Sequence, residues 1–139
     1  PASTSRPVKR AGAAAPDDLA AGGETILVVE DEDAVRRLTC RILSRQGYRV
    51  FEAPDGHQAL NTWDRHSSEI DLLLTDVVMP GMSGKELAEH IGIKPVFMSG
   101  YTDDVVLRHG VEGLRLVQKP FDAETLLSAV RSALDGAPA

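Results

Sequence analysis

Five short apolar runs punctuate the chain, and most are followed by a polar turn and then by apolar residues at helical spacing. The first, Thr25-Ile26-Leu27-Val28-Val29, is β-branched and continuous, the pattern of a strand buried on both faces of a parallel sheet. Val35, Leu38, Ile42 and Leu43 then recur at helical spacing until Gly47 stops them. Tyr48–Ala53 alternates as a second strand, and Pro54-Asp55-Gly56 turns into a helix carrying Ala59, Leu60 and Trp63. Residues 71–76 predict a third strand, and Ser83 with Glu86 predicts a capping box that opens a third helix. That helix is expected to be short, because Gly92 and Pro95 interrupt it. Pro95–Ser99 reads as strand four, Thr102 to about His109 as a weak helix, and Leu114–Gln118 as strand five. A last helix starts near Asp122, carries Leu126, Leu127, Val130 and Leu134, and ends at Gly136.

Strands alternating with helices through short connections predict an α/β fold: an open parallel sheet with helices on both faces. In such sheets the functional loops lie outside the carboxyl ends of the strands. Strand one ends in Glu30 and Asp31, strand three in Asp76, strand four in Ser99, and strand five in Lys119. Three carboxylates, a hydroxyl and an ammonium are therefore expected on one rim.

Residues 1–23 carry no large aliphatic run and are rich in Pro, Gly, Ser and Ala, so they are expected to be a flexible linker. Residues 24–136 form the expected domain and 137–139 a tail. The first residue is Pro1, which suggests a piece of a longer chain or a processed one. The net charge of −6 argues against a generic nucleic-acid or anionic-membrane surface. The single cysteine, Cys40, excludes an internal disulfide and suits a reducing compartment. No run approaches the length of a membrane span. Neither nucleic acid nor direct membrane contact is expected, and the expected location is the cytoplasm, with tethering to a membrane-bound sensor as one arrangement.

Three clustered carboxylates repel one another unless they take up protons or recruit a cation. All-oxygen ligands favour a hard ion, with Mg²⁺ (or Mn²⁺) suited to carboxylates, water and phosphate oxygens. Asp76 is then a candidate phosphoryl acceptor, with Lys119 as counter-charge and Ser99 as a hydroxyl donor to the phosphoryl oxygens.

The chain resembles a response-regulator receiver domain of two-component signalling. The resemblance rests on Leu27-Val28-Val29-Glu30-Asp31-Glu32, Asp55-Gly56 with Ala59-Leu60, Thr75–Gly84, Met98-Ser99-Gly100 and Gln118-Lys119-Pro120-Phe121, and covers about residues 24–135. It implies a flavodoxin-like fold with strand order 2-1-3-4-5. Asp76 would be the phosphoacceptor, Glu30 and Asp31 the acidic pair, and the backbone carbonyl of Val78 a further metal ligand. Ser99 would be the conformational hydroxyl and Lys119 the lysine of the site, joined to Pro120 by a cis bond. Phosphoryl would arrive from a histidine kinase or histidine phosphotransfer domain. The output would lie on the fourth helix, fifth strand and fifth helix, a face that could also form a homodimer.

Two positions depart from the family pattern. Glu30 stands where many members have Asp, and Leu116 where many carry the aromatic switch residue. Tyr101 is the nearest aromatic after Ser99 and takes part of that role in this reading, so Ser99, Tyr101 and Leu116 form the expected switch. The segment Phe97–Asp104 resembles receivers at the carboxyl end of hybrid sensor histidine kinases, the preferred context. A stand-alone phosphate shuttle and a non-phosphorylated interaction module are the alternatives. No turnover of a separate substrate is expected, only self-phosphorylation and autodephosphorylation.

Elsewhere the plainer reading holds. Glu32 and Asp33 are expected to complement the dipole at a helix start. His57, His66, His90 and His109 are expected on helix surfaces without metal spacing. Cys40 is expected in the core beside Leu38 and Leu43, as are Trp63 and Phe97, with Phe121 a packing anchor.

Overall fold

A computed structural model describes residues 23–93, 95–100 and 115–136. Its strands are β1 (Thr25–Val29), β2 (Arg49–Ala53), β3 (Leu72–Asp76), β4 (Pro95–Ser99) and β5 (Leu116–Gln118). The helices among the described residues are α1 (Asp33–Arg45), α2 (Gly56–His66), α3 (Gly84–Ile91) and α4 (Ala123–Asp135). All strand pairings are parallel, in the order β2-β1-β3-β4-β5. This is the expected 2-1-3-4-5 sheet. The helix expected over residues 102–109 lies outside the described residues, as do Tyr101, His109 and Leu114.

The two faces of the sheet separate by residue parity. Ile26, Val28, Leu72, Leu74, Val96, Met98 and Val117 pack with Leu43 of α1 and with Leu126, Val130 and Ala133 of α4. Leu27, Val29 and Leu73 pack with Ala59 of α2 and with Leu87 and Ile91 of α3. Full burial of each such aliphatic side chain contributes roughly 1.5–3 kcal/mol. The central strands are thus apolar on both faces, which is why their runs show no alternation.

Several local expectations are corrected. Strand two begins at Arg49, because the Tyr48 N–H closes the end of α1 on the Leu43 carbonyl and does not join the ladder. Strand five begins at Leu116, although the carbonyl of Arg115 already accepts the N–H of Phe97. Leu38 is 45% exposed and does not share the core with Cys40. Thr39 takes the buried place instead, its hydroxyl satisfied by the Val35 carbonyl. Cys40 itself packs half-buried against the core, and burial pushes its thiol up to about 11, leaving it unreactive. His66 is no plain surface residue: its ring stacks on Phe51 with centroids 4.3 Å apart, and its Nδ1 meets Glu69. The guanidinium of Arg49 lies over the same Phe51 ring, so the edge strand β2 is covered by charge and aromatic surface.

The predicted capping box is present. Ser83 Oγ accepts the N–H of Glu86 at 3.1 Å, and Glu86 Oε1 accepts the N–H of Ser83 at 2.9 Å. Gly92 closes the short helix at φ 81°, in the left-handed region. Asp55 and Asp122 are the N-caps of α2 and α4, their carboxylates accepting the N–H of Gln58 and of Thr125. At the far end of the sheet, Arg131 of α4 pairs with Glu24 and Asp135 and donates to the Tyr48 hydroxyl. No helix of the described residues is long and apolar enough to cross a membrane.

Candidate functional site

Strand β1 stops at Val29 and delivers Glu30 to the rim with no solvent exposure. The Glu30 N–H still bonds the Ala53 carbonyl, so its backbone continues the β1–β2 ladder by one residue. Its side chain bends back: Oε2 accepts the Glu32 N–H at 3.0 Å. Asp31, the next residue, is exposed. Its neighbours Glu32 and Asp33 open α1 as expected, Asp33 within the first turn and paired with Arg36.

Asp76 is the last residue of β3 and is 4% exposed. The N–H of Val77 bonds the Met98 carbonyl, which holds the strand end in register with β4. Glu30, Asp31 and Asp76 each offer a carboxylate oxygen within 4.8 Å of the others, so the predicted acidic cluster forms.

Lys119 enters from the end of β5 through a cis peptide bond to Pro120. Its N–H bonds the Ser99 carbonyl at 2.8 Å, which fixes it beside the end of β4. The ammonium donates to Asp76 Oδ2 at 3.2 Å. It also forms an ion pair with Glu30 Oε1 at 2.7 Å. Asp76 Oδ1 is buried and has no hydrogen-bond partner among the described residues. Ser99, 1% exposed, lies one residue beyond the Met98 that pairs with Asp76. Val78 is half-buried two residues past Asp76, against Val77 and Phe97. Leu116 is 38% exposed on β5, paired in register with Phe97.

The electrostatics follow from these positions. Burial, reinforced by the Glu30 charge and opposed by Lys119, raises the Asp76 carboxyl to about 7. Burial also works against the Lys119 charge, but the two carboxylates outweigh it and hold the ammonium above the ordinary lysine value. An unpartnered oxygen in a carboxylate-rich pocket asks for a cation or a proton. The donor set, carboxylates alone, fits a hard divalent ion.

Two residues that shape the site were not singled out from sequence. Gly84 opens α3 directly against the Asp76 backbone: a Cβ there would stand 2.1 Å from the Asp76 carbonyl oxygen. A glycine at the first position of a well-capped helix was a readable sign of close approach. Arg36 donates to the Glu30 carbonyl at 2.9 Å and to Glu52 of β2 at 3.0 Å. Nothing in residue spacing reveals the second contact.

Comparison with known proteins agrees with this fold. The chain is 38% identical over 121 residues to the sensor kinase CckA of Brucella abortus, a match covering 82% of this chain and 13% of that protein. It is 30% identical over 118 residues to sporulation initiation phosphotransferase F of Bacillus subtilis, covering 80% and 94%. Among solved structures, the receiver domain of the hybrid histidine kinase CckA is 38% identical, with a TM-score of 0.68 over 79% of this chain and 98% of that one. A response regulator receiver domain protein of Clostridium thermocellum gives a TM-score of 0.72 at 25% identity, covering 81% and 95%. The family model described as the response regulator receiver domain matches residues 26–131, and the chain belongs to that family.

Proposed function

We propose that this receiver domain takes a phosphoryl group onto Asp76 from a phosphohistidine, with a divalent cation bound, and thereby switches an output surface. The observation that carries this reading is Asp76 Oδ1, buried and without a hydrogen-bond partner among the described residues while Lys119 holds the other oxygen. Glu30, Asp31, Asp76 and the Val78 carbonyl would hold the cation, Mg²⁺ or Mn²⁺. When bound, it neutralises phosphoryl oxygens as charge builds on them.

The residues of the chain do the rest. The free Asp76 oxygen attacks phosphorus, a P–O bond forms, and the P–N bond to the donor imidazole breaks, its electron pair returning to nitrogen. Lys119 stands 3.2 Å from Asp76 and is placed to follow the negative charge onto the new phosphoryl group. The hydroxyl of Ser99 would donate to the same oxygens. Hydrolysis later returns the carboxylate, so no separate substrate is turned over.

The test is incubation with acetyl phosphate and Mg²⁺ followed by intact mass measurement. A gain of one phosphoryl group, abolished by EDTA and by Asp76→Asn, is the expected result. A chain that never gains that mass is a non-phosphorylated binding module.

The 38% identity to CckA favours a receiver within a hybrid histidine kinase, acting with a kinase or histidine phosphotransfer domain in the cytoplasm. A second reading, a stand-alone phosphate shuttle, is favoured by the match across 94% of the sporulation phosphotransferase. The full-length reading frame decides between them. The switch assigned to Ser99, Tyr101 and Leu116, and dimerisation through the output face, are read by comparing the chain with and without beryllium fluoride. A Tyr101 ring with unchanged exposure in both states overturns its part.

A further inference from the structure

Arg36 lies one turn into α1 with its side chain 14% exposed, and its guanidinium serves three acceptors in three directions. Nη1 donates to the carbonyl of Glu30 at 2.9 Å, Nε to Glu52 at 3.0 Å, and Nη2 to Asp33 at 2.7 Å. The Glu30 carbonyl belongs to the peptide unit that joins Glu30 to Asp31. Gripping it restrains the torsions on either side of that unit, and these set where both acidic side chains point. Glu52 is in turn fixed in β2, directly before the Ala53 whose carbonyl receives the Glu30 N–H. The fork therefore ties the acidic loop to the sheet on one side and to the helix on the other.

The loop has reason to need such a tie. Glu30, Asp31, Glu32 and Asp33 follow one another, and Glu52 stands alongside. Like charges at this spacing push the loop apart. Lys119 answers the inner carboxylates, Glu30 and Asp76, while Arg36 pairs with Asp33 and Glu52. A lysine would supply the charge but not three fixed donor directions.

We propose that Arg36 is a positioning residue for the acidic pair, presetting the Glu30–Asp31 peptide so that a divalent cation meets a formed site. The inference rests on the reading that Glu30, Asp31 and Asp76 hold such a cation. It has a sign of its own. Coulomb's law alone says that removing a positive charge near a cation site tightens cation binding. Loss of positioning weakens it, by about tenfold when an outer partner of metal ligands is removed.

The experiment is calorimetric titration of Mg²⁺ into the 139-residue chain and its variants, with folding checked by circular dichroism. The wild-type chain binds Mg²⁺, Arg36→Ala weakens binding about tenfold, and Arg131→Ala, which breaks a guanidinium network at the other end of β1, leaves it unchanged. Equal or tighter binding by folded Arg36→Ala overturns the proposal, and so does equal weakening by Arg131→Ala. If Arg36→Ala does not fold, Arg36→Lys decides: weakening of threefold or more supports positioning, and a smaller change overturns it. A wild-type chain that binds no Mg²⁺ overturns the cation reading itself, a separate and visible failure.

Discussion

Lys119 stands closer to Glu30 than to Asp76, its ammonium 2.7 Å from Glu30 Oε1 and 3.2 Å from Asp76 Oδ2. Both carboxylates are buried, and one ammonium is shared between them. Asp76 is the less well compensated of the two, because its Oδ1 has no partner among the described residues. Burial and the neighbouring Glu30 charge raise its affinity for a proton, and the open oxygen leaves room for a more positive partner.

The pH dependence has a definite sign. Asp76 binds its proton up to about 7 in the folded chain, against 3.8 as the ordinary value. Between those values the folded state holds more protons than the unfolded state, so rising pH costs stability across that window. In EDTA, wild type should therefore lose stability relative to Asp76→Asn as pH rises from 4 to 7, with the difference level above. Urea unfolding of both proteins across this range measures it. A difference that is flat with pH counts against a raised Asp76.

Gly84→Ala tests the close approach of α3. Alanine improves helix propensity over glycine by at most about 1 kcal/mol, the figure for a helix interior, and by less at this first position. The new methyl group would stand 2.1 Å from the Asp76 carbonyl oxygen, so backbone must move. Overpacking of this kind costs typically 1–3 kcal/mol, and the clash wins. Urea unfolding should show a net loss, and acetyl phosphate labelling should slow because the displaced backbone carries Asp76.

How far the sequence reached depends on what kind of contact is asked about. The convergence of strand ends was legible because a parallel sheet sends their carboxyl ends to one rim, so Glu30, Asp31, Asp76, Ser99 and Lys119 could be gathered without coordinates. The short α3 was legible because Ser83, Glu86 and Gly92 are local signals. Leu38 was misread because helical spacing marks a stripe but not its edges, and Thr39 buries its hydroxyl on the Val35 carbonyl. The contacts of Arg36 with Glu52 and of Arg131 with Glu24 join residues 16 and 107 positions apart, and no periodicity encodes them.

Arg131→Ala should separate stability from chemistry. Arg131 pairs with Glu24 at 2.8 Å and Asp135 at 3.0 Å, and these side chains are partly exposed. Exposure reduces what such pairs contribute, so the expected loss is about 1–2 kcal/mol and not the larger figure for buried charges. The rate of acetyl phosphate labelling should stay within twofold of wild type, since the network lies at the opposite end of β1 from Glu30.

Asp31→Asn and Glu30→Gln should part in a way that follows from burial. Asp31 is exposed beside the buried Glu30 and Asp76, so no buried charge is left without a partner when it is neutralised. Its removal should leave cation-free stability unchanged or raise it slightly, within about 0.5 kcal/mol. Mg²⁺ affinity should nevertheless fall at least about tenfold, because an open carboxylate is the ligand most available to an incoming ion. Glu30 is fully buried, with Lys119 at one oxygen and the Glu32 N–H at the other. Its amide replacement keeps an acceptor for one of these and takes half of the shared charge from Lys119. Cation-free stability should therefore drop, and the Asp76 titration should move down from about 7 as the neighbouring negative charge disappears. Urea unfolding in EDTA, calorimetric Mg²⁺ titration and the pH profile together read these four effects. If Asp31→Asn binds Mg²⁺ as tightly as wild type, Asp31 is not a ligand of the ion.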